Sequence, residues 1–148
     1  MNYSIREAIE KDFASILKLI KELAEFEKAP GKVTNSVEQM KLEKDYFHCF
    51  VAETSTGIVG MALYYFAYST WVGKTLYLED IIVSEAFRGN NIGTALMRKI
   101  FEEAKTKDCK RIRWQVLKWN KAAIEMYTKF GADIDGEWLN CTVDQNSI

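Results

Sequence analysis

The chain has 148 residues, of which 48% are hydrophobic and 13% are aromatic. This length suits one globular domain with a substantial core and leaves no room for a second domain. Lys and Arg number 20 against 21 for Asp and Glu, so the net charge is -1 and the chain has no basic surplus for binding nucleic acid or an anionic membrane.

The sequence shows no targeting, membrane or metal signal. No apolar run is long enough to span a bilayer, and the N-terminus lacks the apolar region of a signal peptide, which predicts a cytoplasmic protein. Cys49, Cys109 and Cys141 are odd in number and widely spaced, which argues against both a disulfide framework and a zinc site. His48 is the only histidine, and its place in an aromatic strand pattern favours a structural role.

Hydrophobic periodicity and turn residues predict strand, helix, helix, strand, strand in the first part of the chain. These five elements cover residues 3–6, 12–27, 36–44, 47–53 and 58–68. Asp12 and Ser36 suit the N-caps of the two helices. Pro30 and Gly31 break the first of them.

The second part of the chain predicts strand, helix, strand, helix, strand. These elements cover residues 76–83, 92–105, 111–116, 121–130 and 138–143. Asn120 suits the N-cap of the last helix, and Gly131 suits its left-handed stop. Because a helix joins the strands 76–83 and 111–116, they should be parallel. The whole order predicts a single α/β (α+β) domain over residues 1–148, with one mixed sheet and helices on both faces.

The segment 76–105 joins a strand, a glycine-containing turn and a helix without a gap. The first amides of a helix lack partners within it and carry partial positive charge, so this turn can bind an anion. Gly89 and Gly93 allow close backbone approach, and Arg88 adds a full charge. The pattern is neither a Rossmann fingerprint nor a P-loop. From these residues alone, a plain turn with close helix packing is an equally good interpretation.

Residues 88–93, which read RGNNIG, resemble the acetyl-CoA pyrophosphate loop of the GNAT N-acetyltransferases, whose pattern is Arg/Gln-x-x-Gly-x-Gly/Ala. Asn91 replaces the first glycine, and asparagine tolerates the left-handed conformation better than other residues with a Cβ. Four further blocks resemble the spermidine/spermine and thialysine acetyltransferase branch. They read KELAEFEK at 21–28, YYFAYSTW at 64–71, LYLED at 76–80 and VLKWN at 116–120.

The resemblance implies a GNAT fold with two splayed central strands, acetyl-CoA as co-substrate, no metal, and a homodimer. It assigns to the coenzyme the residues Ile81, Ile82, Val83, Arg88, Gly89, Asn90, Asn91, Ile92, Gly93, Thr94, Asn120, Lys121, Ala122, Ala123 and Tyr127. It implies that Glu79 takes a proton from the substrate amine, directly or through water, and that Tyr127 protonates the departing sulfur. A backbone N–H near Ile82 would hold the oxyanion.

Adjacent strand residues point to opposite faces, so we expect Glu79 and Asp80 not to form a close pair, and we expect Glu79 to be desolvated. The resemblance assigns to the acceptor the residues Phe26, Glu27, Ser69, Thr70, Trp71, Glu79, Asp80, Arg113, Gln115 and Glu137. Ser69 and Thr70 stand where polyamine enzymes of this branch carry an acidic residue. Arg113 would attract a carboxylate and repel a second ammonium.

The predicted function is acetyl-CoA-dependent N-acetylation of a small primary amine by direct transfer. Thialysine or a lysine-like amine is the first choice of acceptor, and diamines or polyamines are the second. Two alternatives stay open: acetylation of protein lysines or N-termini, and a non-catalytic acyl-CoA-binding module.

Overall fold

The computed structural model describes residues 1–148, and their contacts divide the chain into two compact units, Met1–Gln115 and Val116–Ile148. The first unit holds one five-stranded sheet in the order β1-β2-β3-β4-β5. The strands are β1 (Ser4–Glu7), β2 (His48–Thr54), β3 (Gly57–Ser69), β4 (Gly73–Val83) and β5 (Arg111–Arg113). Neighbours from β1 to β4 are antiparallel and β5 is parallel to β4, which confirms the predicted mixed sheet.

Four α-helices accompany the strands. They are α1 (Phe13–Phe26), α2 (Val37–Leu42), α3 (Ile92–Thr106) and, in the second unit, α4 (Lys121–Lys129). None of them is both long and apolar enough to cross a membrane. The predicted helices are therefore all present, with ends that differ by a few residues from the expected ones.

One face of the sheet is covered by α1 and α2. Ile16 and Met40, from these two helices, pack in one buried cluster with Met61 and Leu63 of β3. Ile82 of β4 belongs to the same cluster and lies opposite Met61 in the β3–β4 register. This face, the α1 face, therefore carries the odd-numbered side chains of β3.

The other face of the sheet meets α3. A Cβ added to Gly60 would lie 3.4 Å from Leu96 Cδ1 and 3.5 Å from Ile92 Cγ2, so glycine lets this helix pack closely. Further along β3, the Tyr64 hydroxyl donates a hydrogen bond to a carboxylate oxygen of Glu103. Helices lie on both faces of the sheet, as the element order predicts.

Three predicted caps are present where the sequence placed them. The Ser36 hydroxyl oxygen accepts a hydrogen bond from the Gln39 amide, and the Asn120 side-chain oxygen accepts one from the Ala123 amide. Gly131 has φ +87°, the left-handed conformation expected just after α4. Local side-chain chemistry therefore fixes the ends of α2 and α4.

Two strand predictions need correction. The strand expected over 111–116 ends at Arg113, and residues 138–143 form no strand. Trp138, Leu139 and Val143 in that last segment are exposed. Alternation of polar and apolar residues shows only that a segment suits a sheet face, whereas a strand also needs a neighbour that supplies backbone partners.

The short β5 leaves part of β4 without a neighbour on one side. Only Thr75, Leu76 and Tyr77 of β4 pair with β5. Residues 78–83 of β4 continue past the end of that ladder, so their outward backbone groups face an open edge. We call residues 78–83 on this side the open edge of β4.

Candidate functional site

A loop of residues 84–91, the β4–α3 loop, connects the open edge to α3. It contains a single 3₁₀ turn, Glu85–Phe87, and then two residues in the left-handed region. Gly89 has φ +82°, and Asn91 has φ +63° and ψ +15° immediately before Ile92, the first residue of α3. Asn91 thus adopts the left-handed conformation that asparagine tolerates better than other residues with a Cβ. The loop therefore leads directly into α3, a 15-residue helix whose first amides have no partner within the helix.

Successive residues of β4 direct their backbone N–H and C=O groups alternately toward β3 and toward the opposite side of the strand. The Ser84 amide donates to the Val59 carbonyl, so by strict alternation Ile82 also directs its N–H and C=O toward β3. Ile81 and Val83 then direct theirs toward the open edge, and the Val83 carbonyl is indeed reached from outside β3 by Arg88. The amides available at this edge are therefore those of Ile81 and Val83, one residue to either side of the predicted Ile82.

Arg88 is held at the mouth of the open edge by two contacts. Its Nε donates to the Val83 carbonyl at 2.9 Å, and its guanidinium carbon lies 5.4 Å from the centroid of the Phe26 ring. A second contact within the loop joins Asn90 to Phe87, since the Asn90 side-chain nitrogen donates to the Phe87 carbonyl at 3.0 Å. Phe26, expected at the acceptor, thus contacts the β4–α3 loop.

A β-bulge interrupts β4 at Glu79. Leu63 pairs with Asp80 and the next residue, Tyr64, pairs with Leu78, so Glu79 is the extra residue. The Glu79 charge raises the pKa values of Asp80, Tyr65 and Tyr77 in addition to burial, and by register all three of these groups lie on the α1 face. The expectation that Glu79 and Asp80 point to opposite faces rested on the alternation of a regular strand, and that alternation fails at a bulge.

Desolvation falls on Asp80 and not on Glu79. Burial, followed by the charges of Glu79 and Glu27, raises the pKa of Asp80 from 3.8 to about 6. Glu79 itself is exposed, contrary to the expected desolvation. Glu27, just beyond the end of α1, is largely exposed, but partial burial of its carboxyl raises its pKa. Three carboxyl groups therefore share one region beside the open edge, where they can attract a cation.

The fold and this geometry agree with a family assignment. Residues 7–132 match the Acetyltransferase (GNAT) family. The chain belongs to the GNAT acetyltransferase family. GNAT proteins use acetyl-CoA as co-substrate, and the protein is an acyltransferase of this family.

Several relatives share much of the chain. It is 46% identical over 140 residues to thialysine N-epsilon-acetyltransferase of Mus musculus, covering 86% of this chain and 82% of that protein. It is 40% identical over 114 residues to the Caenorhabditis elegans protein of the same name, covering 76% and 71%. It is also 35% identical over 154 residues to human spermidine/spermine N(1)-acetyltransferase-like protein 1, covering 91% of this chain but 21% of that protein.

Solved structures share the GNAT fold at lower identity. An aminoglycoside acetyltransferase from an uncultured soil metagenomic sample, in complex with trehalose, superimposes with a TM-score of 0.80 at 20% identity, covering 96% of this chain and 97% of that one. An acetyltransferase of Trypanosoma brucei superimposes with a TM-score of 0.77 at 22% identity, covering 96% and 100%. These similarities confirm the predicted fold class.

On the α1 face of this GNAT sheet, aromatic side chains adjoin the carboxyl groups. The rings of Tyr65 and Tyr77 stack with centroids 5.2 Å apart. Burial and the charge of Glu79 raise the pKa of Tyr77 while Arg113 lowers it, so a negative and a positive group both act on Tyr77. Sequence analysis missed both tyrosines, although aromatic residues in two strands joined by a tight turn are a recognisable cross-strand signal.

The β3–β4 turn is held by Ser69 and Arg111. The Ser69 hydroxyl oxygen accepts from the amides of Trp71 and Val72 and, at 2.9 Å, from Arg111 Nη2. The Arg111 Nε is buried and has no partner. Ser69 thus already stabilises the turn, whereas Trp71 is 84% exposed. Three of the other predicted acceptor residues are exposed: Thr70, Arg113 and Gln115.

The second unit carries the remaining predicted site residues. Asn120 caps α4, Lys121 and Ala122 are exposed, and Ala123 is half-buried. Tyr127 is buried. Glu137 is exposed, and its amide donates to an Asp135 carboxylate oxygen at 2.9 Å. The catalytic role of Tyr127 and the acceptor role of Glu137 stay predictions.

No group of three or more His, Cys, Asp and Glu side chains is arranged to hold a metal ion.

The side chain that sequence analysis missed at the β4–α3 loop is Glu22 of α1, which accepts hydrogen bonds from the Ser84 hydroxyl and the Glu85 amide. No sequence pattern indicates this contact, because it joins residues far apart in the chain.

Proposed function

We propose that the protein transfers the acetyl group of acetyl-CoA to the side-chain amine of a lysine-like amino acid such as thialysine. The observation that carries this proposal is that Arg113 lies opposite Tyr77 in the β4–β5 register, while Glu79 follows Tyr77 by two residues on β4. One surface thus offers a negative end and a positive end, as a zwitterionic acceptor requires. The mouse and nematode relatives named for thialysine acetylation support the same acceptor class.

The negative end binds the reacting amine. A primary alkylamine has a pKa near 10.4, so it reaches the site as an ammonium ion. Glu27, Glu79 and Asp80 form a carboxyl cluster that attracts this cation, and Glu79 is the exposed member. Glu79 is therefore the carboxylate best able to meet an incoming ammonium and to accept its proton.

The positive end binds the acceptor's carboxylate. Arg113 lies opposite Tyr77 in the β4–β5 register, and Tyr77 precedes Glu79 by two residues on β4. Two residues of strand and one strand spacing give roughly 8 Å between the two positions. An extended lysine-like side chain spans roughly 7 Å from its terminal nitrogen to its carboxyl carbon, from bond lengths near 1.5 Å. The spacing favours one amino acid over a long polyamine.

The coenzyme occupies the open edge of β4 and the β4–α3 loop. The outward amides of Ile81 and Val83 hydrogen-bond the pantetheine arm. The first amides of α3, with Arg88, bind the diphosphate. Gly89 and Asn91, both left-handed, turn the loop so that its amides converge. The resemblance also assigns to the coenzyme Ile82, Asn90, Ile92, Gly93 and Thr94 and, in the second unit, Asn120, Lys121, Ala122 and Ala123.

The reaction is a direct transfer. Glu79 takes a proton from the ammonium, and the neutral nitrogen attacks the thioester carbonyl carbon. An outward amide of β4 stabilises the oxyanion that forms. The carbon–sulfur bond then breaks, Tyr127 gives its hydroxyl proton to the departing thiolate as the resemblance implies, and the acetylated nitrogen loses its extra proton to solvent, from which Tyr127 regains one. Cys49 is no alternative nucleophile, because it is buried and burial raises the pKa of its thiol to about 12.

We also propose that residues 1–148 act together as one catalytic domain, since the family match spans both compact units. We propose a homodimer on the resemblance, and a cytoplasmic location. The exposed Tyr68, Trp71 and Val72 near the β3–β4 turn offer apolar contact area. Light scattering coupled to gel filtration measures the mass of the particle and would show a monomer if this part is wrong.

Substitution of Arg113 tests the acceptor class. The wild type should use thialysine and lysine better than putrescine and spermidine. Arg113→Glu should reverse that preference, because a carboxylate there repels the amino acid and attracts a second ammonium. Lys118→Glu, with the same charge change at an exposed position, is the control. Unchanged preference in Arg113→Glu would contradict the proposed acceptor, and preference for peptides over all free amines would favour protein acetylation.

A further inference from the structure

The last two turns of α1 carry two side chains that reach the β4–α3 loop. Glu22 and Phe26 are four residues apart, so they lie on the same side of the helix. The Glu22 carboxylate accepts from the Ser84 hydroxyl at 3.2 Å and from the Glu85 amide at 3.1 Å. The Phe26 ring lies 5.4 Å from the guanidinium carbon of Arg88. The two contacts hold the two ends of the 3₁₀ turn.

We propose that Glu22 and Phe26 are positioning residues for acetyl-CoA, acting through the β4–α3 loop. This inference rests on the proposed binding of the diphosphate by that loop. A loop that bears left-handed residues at Gly89 and Asn91 pays conformational entropy when it orders around a ligand. Contacts that order the loop beforehand reduce that loss, so they increase affinity for the coenzyme without touching it.

Each contact acts on a different part of the loop. Glu22 satisfies the first amide of the 3₁₀ turn and fixes where the chain leaves β4. The Phe26 ring makes a cation–π contact with the Arg88 guanidinium, and Arg88 Nε also donates a hydrogen bond to the Val83 carbonyl. Together these contacts keep the guanidinium at the mouth of the open edge. Glu27 follows Phe26 directly, so the same helical turn also ends at the carboxyl cluster proposed for the acceptor. A movement of α1 would therefore displace the coenzyme loop and the acceptor site together.

The test compares two acetyl donors in the variants Glu22→Ala and Phe26→Leu. Acetyl-CoA carries the diphosphate, whereas acetyl-pantetheine lacks it. We expect the KM for acetyl-CoA to rise about tenfold in Glu22→Ala, which loses charged hydrogen bonds, and about two- to fivefold in Phe26→Leu, which loses the ring. In Glu22→Ala the kcat at saturating acetyl-CoA and the kinetics with acetyl-pantetheine should stay at wild-type values. Glu25→Ala, on the exposed side of the same helix, is the matched control.

Hydrogen exchange on the ligand-free protein gives a readout that does not depend on activity. The Glu85 amide should exchange faster in Glu22→Ala than in Glu25→Ala, and Glu22→Gln, which keeps an acceptor oxygen, should lie between them. Equal losses with both donors, or unchanged kinetics with acetyl-CoA, would overturn the positioning role. A wild type that neither binds coenzyme A nor releases its thiol would overturn the proposed function itself, whatever the exchange rates.

Discussion

Glu79 and Asp80 are adjacent in the chain, and Glu79 is the extra residue of a β-bulge beside Asp80. Burial, followed by the charges of Glu79 and Glu27, raises the pKa of Asp80. The site thus combines an exposed carboxylate with a neighbour that titrates close to neutral pH. The predictions below follow from this arrangement and from the loop beside it.

The first prediction concerns Asp80 and stability. Its pKa in the folded protein is about 6, above the ordinary value of 3.8, so the folded state binds this proton more tightly than the unfolded state. Ionisation of this group therefore costs stability as the pH rises from 3.8, and the cost is complete above 6. Asp80→Asn should be more stable than the wild type at pH 7.5, on the order of 1 to 2 kcal/mol after allowance for partial exposure. Urea unfolding should show this difference shrinking as the pH falls from 6 and vanishing below 3.8.

The same group should shape the pH dependence of acceptor binding. Asp80 attracts the substrate ammonium only when it is ionised, so the KM for the amine should fall as the pH rises from 5 to 7. Asp80→Asn should have a higher KM at pH 7.5 and should lack this dependence. Steady-state kinetics at fixed saturating acetyl-CoA measures both. A variant with the wild-type pH profile would show that another group is responsible.

A second prediction concerns the left-handed residue before α3. Asn91→Gly should keep the wild-type KM for acetyl-CoA, because glycine adopts this conformation without penalty. Asn91→Ala should be less stable by about 1 kcal/mol and should raise that KM. Asp108, with φ +56°, is a matched position outside the loop. Asp108→Ala should lose similar stability and leave the KM unchanged, so equal KM values in both alanine variants would contradict the role given to the loop.

A third prediction concerns the contact of β3 with α3. A Cβ on Gly60 would lie only 3.1 Å from the Ile82 carbonyl oxygen, and it would also contact two side chains of α3 at 3.4 and 3.5 Å. Gly60→Ala should therefore reduce the free energy of unfolding by about 1 to 3 kcal/mol. Gly31→Ala is the control, since nothing lies within 4 Å of its added Cβ. Denaturant unfolding compares the two, and equal stability would show that α3 can move away at no cost.

A fourth prediction concerns the ion pair that joins β1 to the start of α1. Arg6 Nη1 lies 2.7 Å from an Asp12 carboxylate oxygen, and this partner lowers the pKa of Asp12 despite burial. Asp12→Ala should cost about 2 kcal/mol at pH 7, because it removes one of the two carboxylates that pair with Arg6 and leaves the Ile9 amide without its acceptor.

A group with a lowered pKa stabilises the fold above its unfolded value. The difference between the wild type and Asp12→Ala should therefore persist at pH 5 and disappear as the pH falls below 3.8. Asp108→Asn, which removes a surface pair with Lys110, should change stability by less than about 0.5 kcal/mol. A pH-independent loss in Asp12→Ala would show that packing, not charge, is responsible.

Much of the fold could be predicted because it is written in local patterns. The caps at Ser36 and Asn120, the stop at Gly131 and the left-handed Asn91 each depend on one residue's own conformational preference. The order of elements and the parallel pairing of β5 follow from periodicity and connection length. These features need no knowledge of distant contacts.

The features that could not be predicted depend on tertiary contacts. The bulge at Glu79 is set by register with β3, and no residue in LYLED marks it. The raised pKa of Asp80 requires Glu27 from another element, and the Glu22 contact spans more than sixty residues. The expected strand over 138–143 had the right alternation, but alternation cannot supply a neighbour.

The measurement that tests the central claim most directly is release of free thiol from acetyl-CoA, with thialysine, lysine, putrescine or spermidine as acceptor. We expect amine-dependent release that is fastest with thialysine or lysine, and that falls about 10²- to 10⁴-fold in Glu79→Gln and Tyr127→Phe. A folded wild type that binds coenzyme A but releases no thiol with any of these amines would contradict the account and leave a non-catalytic acyl-CoA-binding module.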